Sequence, residues 1–186
     1  MRSNKKPLVI SIAAVSGGGK TTMVKELNNK LVNSNVLYFD NYDFDGPDDI
    51  CEWIENGANV NDWILTPLVS DLKILLSEHR QSVEYILLDY PFAYLHNEMI
   101  GLIDFTIFID TPLDVAMARR ILRDYSDRPI QSVLEDASNY LSRGRVAYLE
   151  MLNTVKPHSD FIVDGSLPVH EIVNKLLKII LDKKKI

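Results

Sequence analysis

The stretch from Leu8 to Thr22 constrains the fold more than any other part of the chain. An apolar, β-branched run, Leu8–Ala13, leads directly into Ala14-Val15-Ser16-Gly17-Gly18-Gly19-Lys20-Thr21. A helical pattern comes at once after it, with Met23, Val24, Leu27 and Leu31 on one face. Strand, small-residue loop and helix in immediate succession have a physical task. Small residues let backbone N–H groups converge into a concave nest for an anion, and the next helix points its positive end at the same place. Lys20 adds a point charge for the outer phosphates of a nucleotide, and Thr21 offers a hydroxyl to Mg2+. The spacing is that of G-x-x-x-x-G-K-[ST], with Ala14 in the first glycine position. The expected phosphate-binding residues are therefore Ser16, Gly17, Gly18, Gly19, Lys20, Thr21 and Thr22, with ATP and Mg2+ as cofactors. Ala14 is strained there, at about 1 kcal/mol or more, if its backbone needs a positive φ.

Four further apolar runs, Val36–Phe39, Tyr85–Leu88, Phe105–Ile109 and Phe161–Val163, are short and do not alternate cleanly with polar residues. Such runs suit strands buried on both faces of a parallel sheet. The segments between them carry helical periods. Thr111-Pro112 supplies an N-cap and a first-turn residue for one helix. Apolar residues from Ile130 through Leu152 keep a helical period for roughly six turns. Ile172, Val173, Leu176, Leu177 and Ile180 mark a last helix. The expected fold is α/β, with a five-stranded parallel sheet flanked by helices in a single domain over residues 1–186. A chain of 186 residues that is 46% hydrophobic can bury the core this needs. Ligands of such sheets lie at the carboxyl ends of the strands.

Acids stand at those ends. Asp40, Asp89, Asp110 and Asp164 each come directly after an apolar run. Asp89 has the pattern of a metal-holding carboxylate, sharing Mg2+ with Thr21. Asp40 is a candidate to orient and deprotonate a substrate hydroxyl. Each can instead simply cap the adjoining turn. Asp110 reads as part of the start of the helix at Thr111-Pro112. Arg119, Arg120 and Arg123 lie on that helix, with Arg119 and Arg123 on one face, and Arg128 precedes Pro129. Mobile arginines after a phosphate loop stabilise charge on a transferred phosphoryl group and exclude water. The alternative is surface pairing with Asp114, Asp124 and Asp127. The cluster predicts a short lid over about residues 123–130, with Arg123 joining Asp40 and Lys20 in the chemistry.

Other readings are narrower. A formal net charge of −6 argues against a nucleic-acid partner. The single cysteine, Cys51, cannot form an internal disulfide, and no apolar stretch is long enough to cross a membrane. The basic residues Arg2, Lys5 and Lys6 before an apolar run do not make a leader, because the run ends in the glycine loop. The expected setting is the cytoplasm, with a homo-oligomer left open. Asn41, Asp43, Asp45, Gly46 and Glu52 match a loose calcium-loop pattern, but a strand pattern precedes them where a helix is required. A GTPase switch would need a guanine-reading N-K-x-D segment, and the sequence has none. A non-catalytic nucleotide-binding module and a P-loop kinase for another small metabolite remain as alternatives.

Taken together, Ile10–Thr22, Tyr38–Tyr42, Tyr85–Phe92, Asp104–Asp110 with Arg119–Asp124, and Lys156–Gly165 resemble the uridine kinase and phosphoribulokinase family of P-loop kinases. The resemblance covers most of the chain. It implies ATP as donor, Mg2+ as cofactor and a hydroxyl of a small, ribose-like molecule as acceptor. By the same resemblance Asp40 is the base, Tyr42 an aromatic beside it that contacts the substrate, and Arg119, Arg123 and Arg128 the lid arginines. Trp63, in Asp62-Trp63-x-x-x-Pro67, matches an aromatic segment near the nucleoside. Asp89-Tyr90 stands where uridine kinases usually carry Glu-Gly, which puts the bulk of Tyr90 near the substrate. Only a short stretch separates Asp71 from Tyr85, where those enzymes place a hairpin that grips the base. These departures imply a small acceptor held in a reduced pocket.

Overall fold

The computed structural model describes residues 6–78 and 83–185; Arg2 and Lys5, and part of the short stretch between Asp71 and Tyr85, lie outside them. The chain opens with β1 (Leu8–Ala13), the glycine loop and α1 (Lys20–Lys30), then β2 (Ser34–Tyr38). A short helix α2 (Ile50–Glu55) and a longer α3 (Thr66–Glu78) lead to β3 (Tyr85–Asp89). β4 (Phe105–Asp110), α4 (Leu113–Asp124), α5 (Ile130–Asn139) and α6 (Arg145–Glu150) precede β5 (Phe161–Asp164) and α7 (Val169–Lys184). The five strands form one parallel sheet in the order β2-β3-β1-β4-β5.

β1 is central because it is apolar on both faces. Ile10 and Ile12 face one side, where α1 and α7 cover them with Val24, Leu27, Ile172 and Leu176. Val9 faces the other, with Ile86, Leu88, Leu68 and Leu72 of β3 and α3. This alternation comes from the pleat. It also explains why the strands read as continuous apolar runs. The register brings Ile12, Asp89 and Tyr38 to one level across three strands. The loops after those residues therefore emerge along one edge of the sheet. No helix among the described residues is long and apolar enough to cross a membrane.

Two details differ from the sequence pattern. β2 stops at Tyr38, and Phe39–Asn41 form a single tight helical turn. The long helical period from Ile130 is interrupted by wide turns at Tyr140–Gly144 and Met151–Val155. Each such turn inserts a residue and rotates the next helical segment about its axis. Ile130 and Leu134 consequently face outward, 72% and 57% exposed, whereas Tyr148 and Val155 are buried.

Candidate active site

After β1 the chain turns through Ala14–Gly19. Gly17 and Gly19 adopt left-handed φ values of 76° and 96°. A Cβ on Gly17 would clash with the Ala116 carbonyl of α4, so the loop is pressed against that helix by its own backbone. A Cβ on Gly18 would lie 2.8 Å from the Cβ of Ala14. Ala14 is buried and has no positive φ, so alanine is unstrained in the first position. Gly18 donates its N–H to Val15 O at 2.8 Å, and its carbonyl accepts the Thr111 hydroxyl at 2.8 Å.

That last bond changes the role read for Thr111. It does not cap α4, which begins at Leu113 with no side-chain cap. It braces the glycine loop from behind. Gly165, just past β5, must lack a side chain because a Cβ there would run into the Thr111 hydroxyl. Asp110 does not start the helix either; it accepts a hydrogen bond from the Lys156 ammonium at 2.6 Å.

α1 starts at Lys20 with Gly19 in the cap position, no capping side chain and no acid in its first turn. Its first N–H groups and positive end are thus left for an anion. Asp89, at the end of β3, is 2% exposed. It accepts the Thr21 hydroxyl at 2.6 Å and pairs with the Lys20 ammonium. Burial pulls the Lys20 pKa down to about 8, against the pull of the Asp40 carboxylate and with a smaller push from Arg123.

These groups surround a cleft of about 850 Å3. Ser16, Gly17, Gly19, Lys20, Thr21 and Thr22 form one wall; Asp40, Arg119 and Arg123 stand on the others. Asp40 is exposed on the turn after β2, and its charge acts on both Lys20 and Arg123. Arg123 is held in a bidentate pair with Asp124, at 2.6 and 2.9 Å. Arg119 donates to Gly165 O at 3.3 Å. Arg120, one position along, turns instead to Asp136 of α5 and ties the two helices together. The 123–130 stretch is the end of α4, a short link and the first residue of α5.

Of the site residues singled out in the sequence, Gly18, Tyr42, Trp63, Asp89, Tyr90 and Arg128 do not line this cleft, although Asp89 reaches its wall through Lys20 and Thr21. Tyr90 is fully buried in the core below the sheet edge, so its bulk faces away from the cleft. Tyr42 stacks on Phe44 and donates its hydroxyl to Asp71 at 2.8 Å. Arg128 lies over the Tyr125 ring. Trp63 belongs to an aromatic group with Phe39, Trp53 and Phe92, beside the cleft rather than in it. Conversely Lys25, Phe39, Pro91, Ala147, Tyr148 and Met151 line the cleft although the sequence did not mark them as site residues. Lys25 was readable, since it lies on the α1 that carries Lys20; the others join only in three dimensions.

The family profile described as "Phosphoribulokinase / Uridine kinase family" matches residues 77–172. A uridine kinase of Borrelia hermsii is 30% identical over 183 residues, covering 83% of this chain and 85% of that protein. A uridine kinase of Brevibacillus brevis is 28% identical over 185 residues, covering 84% of each. Among solved structures, TT1252 from Thermus thermophilus superposes with a TM-score of 0.55 at 14% identity, covering 96% of this chain and 98% of that one. APE1195 gives 0.54 at 17% identity, covering 96% and 97%; at such identity these likenesses speak to the fold alone. With strand order, glycine loop, family profile and relatives in agreement, the chain belongs to the phosphoribulokinase / uridine kinase family.

Proposed function

We propose that the protein transfers the γ-phosphoryl group of ATP to a hydroxyl of a small, nucleoside-like molecule in the cytoplasm. The observation that carries this reading is the opposition of Lys20 and the glycine loop to Asp40 and Arg123 across one cleft. Phosphoryl transfer asks the protein mainly for position and charge. Backbone N–H groups of Ser16–Thr21 hold the phosphates, and Lys20 neutralises charge on the outer ones. Asp40, open to the cleft, accepts the proton of the attacking hydroxyl. Arg119 and Arg123 approach from α4 and stabilise the transferred group while excluding water.

The Thr21 hydroxyl and the buried Asp89 carboxylate, 2.6 Å apart, are hard oxygen donors of the kind Mg2+ takes. These two residues would hold the ion, directly or through water, and it would supply charge neutralisation at the phosphates. Tyr42 and Trp63 are assigned to the acceptor side through the loops that come after Asp40. Tyr90, sealed in the core, is left out of that assignment, and Arg128 is at most an outer lid residue.

Replacing Lys20 with alanine tests the reading. Lys20→Ala is expected to abolish phosphotransfer from ATP across a panel of nucleosides and sugars while circular dichroism stays native. Undiminished transfer by that variant overturns the proposal.

A further inference from the structure

Tyr148 is 7% exposed and lines the phosphate cleft together with Ser16, Arg119 and Arg123. Its hydroxyl is buried and has no hydrogen-bond partner. Several side chains among the described residues keep a buried polar atom without a hydrogen bond, and Tyr148 is the one of them that lines the cleft. A buried hydroxyl without a partner is destabilising, and phenylalanine would fill the same space without that cost. Such a group in a folded chain points to a use beyond packing.

The ring is fixed by its surroundings. It belongs to a cluster with Ala13, Val15, Phe108, Ala116 and Val155, of which Val15 is part of the glycine loop and Ala116 of α4. Tyr140 meets it edge-on at 5.1 Å. The wide turns at Tyr140–Gly144 and Met151–Val155 bracket α6, and Tyr148 faces inward between them while Leu141 stays 78% exposed. Wide turns of this kind gather at functional sites.

The hydroxyl end lies between two sets of groups. On the glycine loop, the Ser16 side chain is near enough to bear on the ionisation of Tyr148, yet the two hydroxyls are not hydrogen-bonded. On α4, Arg120 bears on Tyr148 too, and Tyr148 is within electrostatic reach of Arg123. Arg120 is already paired with Asp136. Burial holds the phenol above the ordinary tyrosine pKa, with Arg120 and Ser16 pulling the other way. The hydroxyl therefore keeps its proton near neutral pH and is able to donate.

We propose that Tyr148 is a further phosphate-binding residue, whose hydroxyl donates to the terminal phosphoryl group of ATP between Ser16 and Arg123, the exposed Ser16 side chain turning to admit it. The inference rests on the phosphotransfer reading for the placement of that group between the glycine loop and α4. A neutral donor among cations adds direction more than charge. ADP held in the same loop lacks the phosphoryl group that reaches the hydroxyl, so Tyr148 reads the γ-position.

The test compares Tyr148→Phe with the native protein in thermal unfolding, and in calorimetric titration with Mg2+ and either ADP or the non-hydrolysable β,γ-imido analogue of ATP. Without nucleotide the variant is expected to unfold at an unchanged temperature or about 2–4 °C higher, because an unpartnered buried hydroxyl is gone. Its affinity for the imido analogue is expected to fall about tenfold, with ADP affinity within about twofold of native. A lower unfolding temperature would make the hydroxyl part of the fold's own bonding and overturns the proposal. Native affinity for the imido analogue overturns it as well, and so does an equal loss for both nucleotides. If Lys20→Ala abolishes transfer while Tyr148→Phe binds the analogue normally, phosphotransfer stands and the tyrosine assignment falls. A loss confined to the imido analogue, in a protein that phosphorylates no acceptor, supports the assignment and counts against phosphotransfer. Failure of the native protein to bind either nucleotide overturns both.

Discussion

The glycine loop and the aromatic group around Trp53 and Trp63 sit on either side of Phe39 and Asp40, and they keep their shapes by different means. The loop is held mainly through its backbone. Gly17 touches the Ala116 carbonyl, Gly18 touches Ala14, and the Gly18 carbonyl is tied to Thr111. The aromatic group is held mainly by side chains, with rings leaning on rings and Trp63 fixed in addition through its own backbone. A main-chain site recognises what is common to all nucleotides, the phosphates. A side-chain site can be remade by single substitutions, so differences in acceptor between members of one family are expected to collect there.

The sharpest way to break this contrast is Gly17→Ala. Left-handed backbone and a clash with Ala116 leave a side chain no room, so ATP binding measured by calorimetry is expected to vanish. Native-like binding would show that the loop is not held by its backbone. Asp40→Asn comes next. Loss of a proton acceptor is expected to lower kcat by about 10²–10⁴-fold with calorimetric ATP binding retained. Lost ATP binding would merge the two regions that the comparison separates. The arginines rank third: Arg123→Ala is expected to cost about 10²-fold in kcat, whereas Arg128→Ala, which removes a side chain lying over Tyr125, should stay within about threefold. Equal losses would mean that Arg128 swings in.

The smallest effect is that of pH. Lys20 is charged below its pKa, and burial brings that pKa from 10.5 to about 8. The charge that attracts ATP is therefore lost as pH rises through about 8 rather than through the ordinary lysine range. In the free enzyme this makes kcat/KM for ATP fall above about pH 8. Lys20→Arg keeps its charge throughout, so the fall should disappear from its profile whatever its absolute activity. A native profile flat to about pH 10 would contradict the burial of Lys20.

Much of the sheet was legible because both faces of β1, β3 and β4 are buried, which leaves unbroken apolar runs at Leu8–Ala13 and Tyr85–Leu88. The loop was legible because glycine is required there by backbone contact. The acids at strand ends were legible from position alone, and register then brings Asp89 level with Ile12 and Tyr38. Tyr90 went astray for a reason visible in the pleat: the residue after Asp89 points the opposite way, into the core. The aromatic group was hidden more deeply. Phe39, Trp53, Trp63 and Phe92 come from separate segments with no common period, and only packing makes them one group. The wide turns around α6 hid Tyr148 and Met151 in the same way, since an inserted residue shifts a helical face without a mark in the sequence.

The brace behind the loop bears on where the motif is made. Gly18 is held by Thr111, Thr111 is backed by Gly165, and α1 is covered by α7. The glycine loop is thus finished by residues that lie far along the chain from it. A chain that stops short of Phe161 has its glycines and Lys20 in order but neither the backing of Gly165 nor the cover of α7. The motif that is read in one short stretch of sequence is therefore a shared product of β1, α4, β5 and α7.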